Sequence, residues 1–155
     1  MKRSKSQIIG MIRDAFAGVP APSDDELVHC EQCRLWVERF LGRLPSDWRR
    51  IRAADIEYEY AALTAVKPAG WKFLLPAYLT WHLRNYETSG SNTVDHLIYQ
   101  LTVTETKDAH MLECLRSLSP DQRHAVAELL RFMAAQSHDE HLAKDALKAL
   151  SSFWE

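Results

Sequence analysis

Two cysteines, Cys30 and Cys33, are separated by two residues, and no other spacing in the chain is as well suited to chemistry. A Cys-x-x-Cys pair can bind zinc through its thiolates, or it can cycle between a dithiol and a disulfide. Zinc needs two further ligands, which His138 and His141 could supply from one face of a predicted helix. A thioredoxin-like redox site would need a strand-to-helix turn in a βαβ unit, which this sequence does not predict.

The same cysteines also have a structural interpretation. A capping box from Ser23 to Glu26 predicts the start of a long helix that continues to about Leu44. Both cysteines fall on the apolar stripe of this helix, where a free cysteine behaves as a small hydrophobic residue. We therefore favour core packing for Cys30 and Cys33 over a metal site or a redox pair.

A second candidate is a surface made by Glu57, Tyr58 and Glu59. On a helix that begins near Asp55, the apolar residues Ile56 and Tyr60 would face inward and leave these three outward. Carboxylates beside an exposed aromatic ring could bind a basic protein partner. A solvated helix face would look the same, because single exposed aromatic residues are common.

Two further clusters have weaker claims. Asp139 and Glu140 lie between His138 and His141 and could act with them in acid–base chemistry, but a first helical turn also prefers acidic residues. A nucleic-acid adaptor would use a basic cluster, in which Trp48 could stack on a base and the cations are Arg43, Arg49, Arg50 and Arg52. Acidic residues flank this cluster on both sides, so nucleic-acid binding is disfavoured.

The elements that would position these residues are predicted to be helices throughout. Apolar residues recur at helical spacing along almost the whole chain, and Ser119-Pro120-Asp121-Gln122 is a strong helix start. We place the start of a central helix at Pro76, because proline is best tolerated in a first turn. The fold class predicted is an all-α, single-domain, multi-helix bundle of about seven helices over residues 1–155. The core aromatic residues are expected to be Trp36, Trp71, Phe73, Tyr78 and Trp81.

Composition and charge limit the function classes. The chain has 155 residues and a net charge of −2. It has three cysteines, an odd and small number that argues against a secreted disulfide scaffold. Residues 55–155 hold 14 acidic and 9 basic residues, a mild preference for a cationic partner. No stretch approaches 18 apolar residues, and the basic start lacks the long apolar run of a signal peptide. We therefore expect a cytoplasmic protein that does not enter a membrane.

Three short motifs resemble those of a family of small helical bacterial proteins of unknown function. They are a Cys-x-x-Cys helix at 30–33, a Leu-Pro-Ala-Tyr segment at 75–78 and a Leu-Ser-Pro-x-Gln helix start at 118–122. The resemblance covers roughly residues 8–133 and leaves His138 and His141 outside. It brings no established activity and therefore no catalytic residues.

Signatures of phosphate-binding loops and of nucleophile elbows are absent from the sequence. We therefore predict a non-enzymatic protein-binding domain without a cofactor, whose most concrete form is an immunity-type protein that neutralises a basic toxin domain. The alternatives are a metal-binding or redox protein that uses Cys30 and Cys33, with zinc as the metal, and a small nucleic-acid adaptor that uses Arg49, Arg50 and Arg52.

Overall fold

The computed structural model describes residues 2–155, and 64% of the chain is helical. The prediction of an all-α fold is confirmed, since the described residues form no strand beyond a single antiparallel bridge between Val28 and Val66. Eight α-helices follow one another: α1 Lys5–Ala15, α2 Asp24–Leu27, α3 Ala53–Tyr58, α4 Pro68–Asn85, α5 Thr93–Leu101, α6 Ala109–Arg116, α7 Pro120–Gln136 and α8 Glu140–Ala149. Short 3₁₀ turns cover Gln32–Trp36, Trp48–Arg50 and Ala62–Thr64, and a π-helical turn covers Leu150–Trp154.

Helix α4 is the centre of the fold. Of its 18 residues, 12 are buried, and they lie on every side of the helix. A helix that is apolar all round must be covered all round. Helices α1, α2, α3, α5, α6 and α7 pack against it, and α8 packs against α5 and α7.

The predicted start of the central helix at Pro76 is wrong. Helix α4 begins at Pro68, which occupies its first turn, and Pro76 lies in its interior. Pro76 has no N–H to donate to the carbonyl of Lys72, one turn earlier, so the helix lacks one hydrogen bond there. Burial of the surrounding apolar side chains, with Trp71, Leu74 and Leu75 fully covered, keeps the helix continuous across this position.

The predicted long helix after Ser23 is also wrong, although its capping box is confirmed. The Ser23 hydroxyl accepts from the Glu26 N–H, and the Glu26 carboxylate accepts from the Ser23 N–H. Helix α2 nevertheless ends at Leu27, because the chain there pairs with the segment before α4. Lys67 donates its N–H to the Leu27 carbonyl at 2.9 Å. The capping box that opens α7 at Ser119 is confirmed as predicted.

Close contact between α2 and α4 depends on the lack of a side chain at Gly70. A Cβ atom there would lie 2.8 Å from Leu27 Cδ1, 3.3 Å from Leu27 Cα and 3.2 Å from Val66 Cβ. The two segments thus touch through backbone, and Leu27 is fully buried between them. This contact fixes the chain just before Cys30.

We predict that Gly70→Ala lowers the free energy of unfolding by about 1–3 kcal/mol, because the added methyl group overpacks a closed contact. Gly10→Ala is the matched control, since its Cβ would meet only the Arg13 side chain, at 3.8 Å. There alanine should stabilise α1 by up to about 1 kcal/mol through its helix propensity. Urea unfolding measures both, and a stabilised Gly70→Ala variant would contradict the tight contact.

Helix α4 also buries a titratable group, His82. Both ring nitrogens of His82 are without a hydrogen-bond partner in the described structure, and the ring stacks on Tyr86 with its centroid 5.8 Å away. Burial lowers the pKa of His82 from 6.5 to about 4. The unfolded chain therefore binds a proton between these two pH values that the folded chain does not.

Acid should destabilise the fold through His82. Below pH 6.5 the unfolded state gains a proton first, so the free energy of unfolding falls as the pH falls and levels off near pH 4. The lost stability is roughly 3 kcal/mol for this shift. We predict that His82→Phe removes this portion of the pH dependence, whereas His124→Phe, at an exposed position of α7, retains it. Urea unfolding at pH 7.5 and pH 4 tests the difference. If the free energy of unfolding changed with pH equally for the wild type and His82→Phe, the prediction would be contradicted.

Candidate functional site

Four aromatic side chains form a connected row on the surface, and we call them the aromatic row. Trp36 meets Tyr60 edge to face at 6.5 Å between ring centroids, and Tyr60 meets His96 at 5.4 Å. His96 continues the row to Tyr99 at 5.9 Å. The two ends are open, with Trp36 48% and Tyr99 69% exposed. The row therefore joins the 3₁₀ turn Gln32–Trp36, the end of α3 and the outer face of α5.

Buried hydroxyl groups hold the part of the row that follows α3. A helix end leaves carbonyl groups without intrahelical partners. The Thr93 hydroxyl lies 3.3 Å from the Ile56 carbonyl and 3.4 Å from the Glu57 carbonyl, and donates there from the start of α5. The Tyr78 hydroxyl of α4 donates to the Glu59 carbonyl at 2.6 Å. The chain around Tyr60 is thus tied to two helices.

The prediction that Glu57, Tyr58 and Glu59 all point outward is wrong for Glu59. Glu57 and Tyr58 are exposed, but Glu59 is only 4% exposed. Glu59 lies three residues after the buried Ile56, and residues three apart share one face of a helix, so the helical spacing itself favours an inward position. Its Oε2 atom has no hydrogen-bond partner in the described structure. Burial raises the pKa of Glu59, and a hydrogen bond from the Arg39 backbone partly opposes the rise.

The exposed remainder of the predicted surface is acidic and aromatic. The Arg39 guanidinium lies 4.0 Å from the centre of the Tyr58 ring and pairs with Asp55 at 3.5 Å. This contact is a cation–π interaction, which an aromatic ring face makes with a guanidinium. Among the ion pairs of residues 2–155, none involves Glu57 or Glu38. Both carboxylates are exposed and remain available to a partner.

Cys30 and Cys33 are joined in a disulfide with their Cα atoms 5.1 Å apart, and Cys33 shares its 3₁₀ turn with Trp36 of the aromatic row. The prediction that they pack as free thiols on a helix is wrong, since Cys30 lies on a bend and Cys33 in the 3₁₀ turn. Both are half-buried. The predicted core position of Trp36 fails for the same reason, because the long helix on which its facing depended does not form. Trp71, Phe73, Tyr78 and Trp81 are buried as predicted.

A pair of stacked imidazole rings fixes the chain on the other side of the disulfide. His29 stacks on His110 of α6 with 3.4 Å between ring centroids and 12° between ring planes. His110 Nε2 lies 2.7 Å from the Val66 carbonyl, and it must be the donor because a carbonyl only accepts. The His29 N–H donates to the Ala65 carbonyl at 2.9 Å. Contacts to α6 and to the segment before α4 therefore position the residue that precedes Cys30.

The structure does not assemble the zinc site considered from the sequence. Residues 2–155 contain no group of three or more His, Cys, Asp or Glu side chains placed to hold a metal ion, so Cys30 and Cys33 are not joined by His138 or His141. Asp139 instead caps α8, accepting hydrogen bonds from the N–H groups of His141 and Leu142.

The basic cluster is largely committed to internal contacts. Trp48 is buried, and its Nε1 donates to the Phe16 carbonyl at 3.1 Å, so its ring is not free to stack on a base. Arg49 pairs with Asp47 at 2.7 Å, and Arg52 pairs with Asp55 at 3.2 Å. Arg43 and Arg50 are exposed.

Sequence reasoning missed three residues of this site, Leu35, His96 and Tyr99. A signal for Tyr99 was present, since its neighbours Val94, Leu97 and Ile98 form the buried face of α5 and leave it on the polar face. The exposure of Tyr99 could therefore have been predicted, although a single exposed aromatic residue does not by itself indicate a binding surface. Leu35 carried no comparable signal, because the 3₁₀ turn that exposes it was not predicted.

We predict that Glu59→Gln stabilises the fold at neutral pH. The pKa of Glu59 is raised in the folded state, so its carboxylate costs free energy above that pKa and costs none once it is protonated. The gain from Glu59→Gln should therefore be present at pH 7.5 and fade as the pH falls towards 4. Glu57→Gln is the control, since an exposed neighbour should change stability little at either pH. A gain from Glu59→Gln that is equal at both pH values would contradict the burial of a charged group.

Comparison with known proteins identifies the family but no activity. The chain belongs to a family of unknown function (DUF6714), which matches residues 4–155. This match confirms the resemblance to a family of unknown function and extends it through α8. No curated protein and no solved structure matches the chain. Among residues 2–155, no helix combines the length and the apolar character that crossing a membrane requires.

Proposed function

We propose that this member of the DUF6714 family is a protein-binding domain that docks a partner on the aromatic row. The observation that supports the proposal is the row itself, four aromatic side chains in mutual contact with both ends open to solvent. Rigid aromatic side chains at the centre of an interface contribute much of its binding energy. Leu35, which is 70% exposed beside Trp36, adds apolar area at one end.

The charges near the row support a basic partner segment. Glu31, Glu38 and Glu57 are exposed in the stretches that carry Trp36 and Tyr60, and Arg34 is the exposed cation among them. Arg39 is already paired with Asp55. Unpaired carboxylates close in sequence to Trp36 and Tyr60 attract cationic side chains and orient them. We therefore propose a partner segment that presents arginine or lysine together with an apolar side chain.

The most specific form of this proposal is a toxin-neutralising role. An immunity-type protein acts by covering a surface of its toxin, so it needs a rigid scaffold and a complementary patch and has no need of a reaction centre. A basic toxin domain fits the carboxylates near the row. The exposed pair Glu57 and Tyr58 would contribute to the contact, whereas Glu59 would support it from inside.

Substitution within the row should weaken binding selectively. We predict that Trp36→Ala and Leu35→Ala each raise the dissociation constant of a captured partner by about tenfold or more, as central interface residues do. Leu147→Ala is the matched control, because Leu147 is 54% exposed on α8 and its truncation removes the same atoms as Leu35→Ala. Isothermal titration calorimetry of each purified variant with the purified partner gives the dissociation constants. Thermal melting verifies that each variant is folded.

The charge part of the proposal is tested by Glu57→Lys in the same assay. Glu57→Lys should weaken binding relative to the wild type. The difference in affinity should become smaller as the salt concentration rises and screens the charges. If a partner bound Trp36→Ala, Leu35→Ala and Glu57→Lys with the affinity of the wild type, the aromatic row would not be its docking site.

A further inference from the structure

We propose that Cys30 and Cys33 form a reversible dithiol–disulfide site that exchanges with the cysteine thiols of a protein held on the aromatic row. The exchange chemistry rests on the disulfide and its surroundings. Only the choice of a protein, rather than a small thiol, as the co-reactant rests on the proposed function.

The disulfide contributes little that the fold does not already have. Its cysteines are three residues apart, and the entropy that a cross-link removes from the unfolded chain is smallest for the shortest loops. The Cys33 N–H donates to the Cys30 carbonyl at 3.1 Å, and the Arg34 N–H donates to the Glu31 carbonyl at 3.2 Å. The turn is therefore held by its own backbone, and opening the disulfide does not release a distant segment.

The chain changes from an extended segment to a helical turn across the cysteine pair. Val28 makes the single antiparallel bridge of the described chain, a bend carries Cys30, and a 3₁₀ turn starting at Gln32 carries Cys33. The sequence had predicted no such extended-to-helical turn. Both cysteines are partly exposed, and the exposed Trp36 follows Cys33 by three residues in the same 3₁₀ turn. A disulfide that solvent and a partner can reach is open to attack by a thiolate.

The two sulfur atoms are not equivalent. Cys33 packs against the hydrophobic core, and Cys30 is not among the half-buried residues of the described chain that do so. An incoming thiolate therefore reaches Cys30 Sγ with less obstruction. The structure assigns Cys30 as the residue that forms the mixed disulfide and Cys33 as the thiolate that leaves, which attacks Cys30 Sγ when the exchange runs in reverse.

The exchange transfers two electrons and two protons. One thiol of a partner dithiol loses its proton to water and attacks Cys30 Sγ, which breaks the Cys30–Cys33 bond and releases Cys33 as a thiolate. The second partner thiol, also deprotonated, attacks the partner sulfur of the mixed disulfide and releases Cys30. Both cysteines take up protons, so the pair is reduced to a dithiol and the partner is oxidised to a disulfide. The reverse sequence reduces a partner disulfide.

The third cysteine does not interfere with this exchange. Cys114 is fully buried in α6, and its thiol lies 3.7 Å from the Val66 carbonyl. Burial raises the pKa of Cys114 to about 12, so almost no thiolate is present near neutral pH. Reactivity is thereby confined to Cys30 and Cys33.

A redox titration tests the exchange without any partner. The folded full-length chain is equilibrated in glutathione buffers of graded ratio, trapped with an alkylating agent and analysed by mass spectrometry. We expect one reversible transition in which Cys30 and Cys33 gain label together while Cys114 stays unlabelled, with the circular dichroism spectrum unchanged. Cys114→Ala is the control and should titrate as the wild type does. A pair that remains oxidised in excess dithiothreitol, or that is reduced only when the chain unfolds, would overturn the proposal.

Single-cysteine variants test the assigned roles. Cys33→Ser should accumulate a mixed disulfide with glutathione through Cys30, and Cys30→Ser should form it about tenfold more slowly through the packed Cys33. Equal rates would overturn the assignment of Cys30.

A comparison of two disulfide probes separates exchange from docking. The Cys33→Ser variant is treated with oxidised glutathione or with the disulfide-linked dimer of the peptide Arg-Leu-Cys-Leu-Arg. The rate of each reaction is measured with and without Trp36→Ala. We expect Trp36→Ala to slow the peptide reaction about tenfold and to leave the glutathione reaction unchanged. Equal peptide rates would overturn docking on the aromatic row, whereas the glutathione titration alone decides whether the pair exchanges.

Discussion

Burial of α4 on every side is the constraint on which the rest of the structure depends. A helix without a polar face has to be covered by the remaining chain, and part of that cover is irregular backbone between α2 and α3. Irregular backbone carries N–H and carbonyl groups that need partners when they are buried. Side chains that combine an apolar body with one polar atom meet this need. Trp48 donates to the Phe16 carbonyl, Tyr78 to the Glu59 carbonyl and Trp154 to the Leu101 carbonyl.

The aromatic row is held rigid by the segments that pack around α4. Tyr60 follows a helix end whose carbonyls are bonded to α4 and α5, and Tyr99 stands on α5 itself. The C-terminal carbonyls of α5 are bonded in turn by Lys107, whose Nζ lies 2.9 Å from the Gln100 carbonyl. Aromatic side chains held in this way lose little freedom when a partner binds, and preorganisation of this kind increases affinity. The same argument applies to Cys30, which follows the stacked His29.

Signals that act within one turn could be predicted, and long-range pairings could not. The capping boxes at Ser23 and Ser119 depend on residues three positions apart, and both are present. The end of α2 depends on hydrogen bonds to the segment around Val66, far along the chain, which no local pattern reveals. The error at Glu59 has a different cause, because a residue three positions after the buried Ile56 lies on the same side of a helix and was nevertheless assigned to the outer face. The wrong prediction of a buried Trp36 followed from the first of these errors, the long helix after Ser23.

The disulfide between Cys30 and Cys33 connects the fold to the compartment in which the protein works. In a reducing compartment, a disulfide on a partly exposed turn persists only while an oxidising partner renews it, and such bonds are typically catalytic or regulatory. In an oxidising compartment the bond would persist, but closing a short turn already held by hydrogen bonds would add little stability. In both cases the proposed exchange depends on what can reach Cys30, and the large exposed hydrophobic side chains nearest to it in sequence are Leu35 and Trp36. In the proposed exchange, the Cys30–Cys33 disulfide and the aromatic row therefore act as parts of one surface.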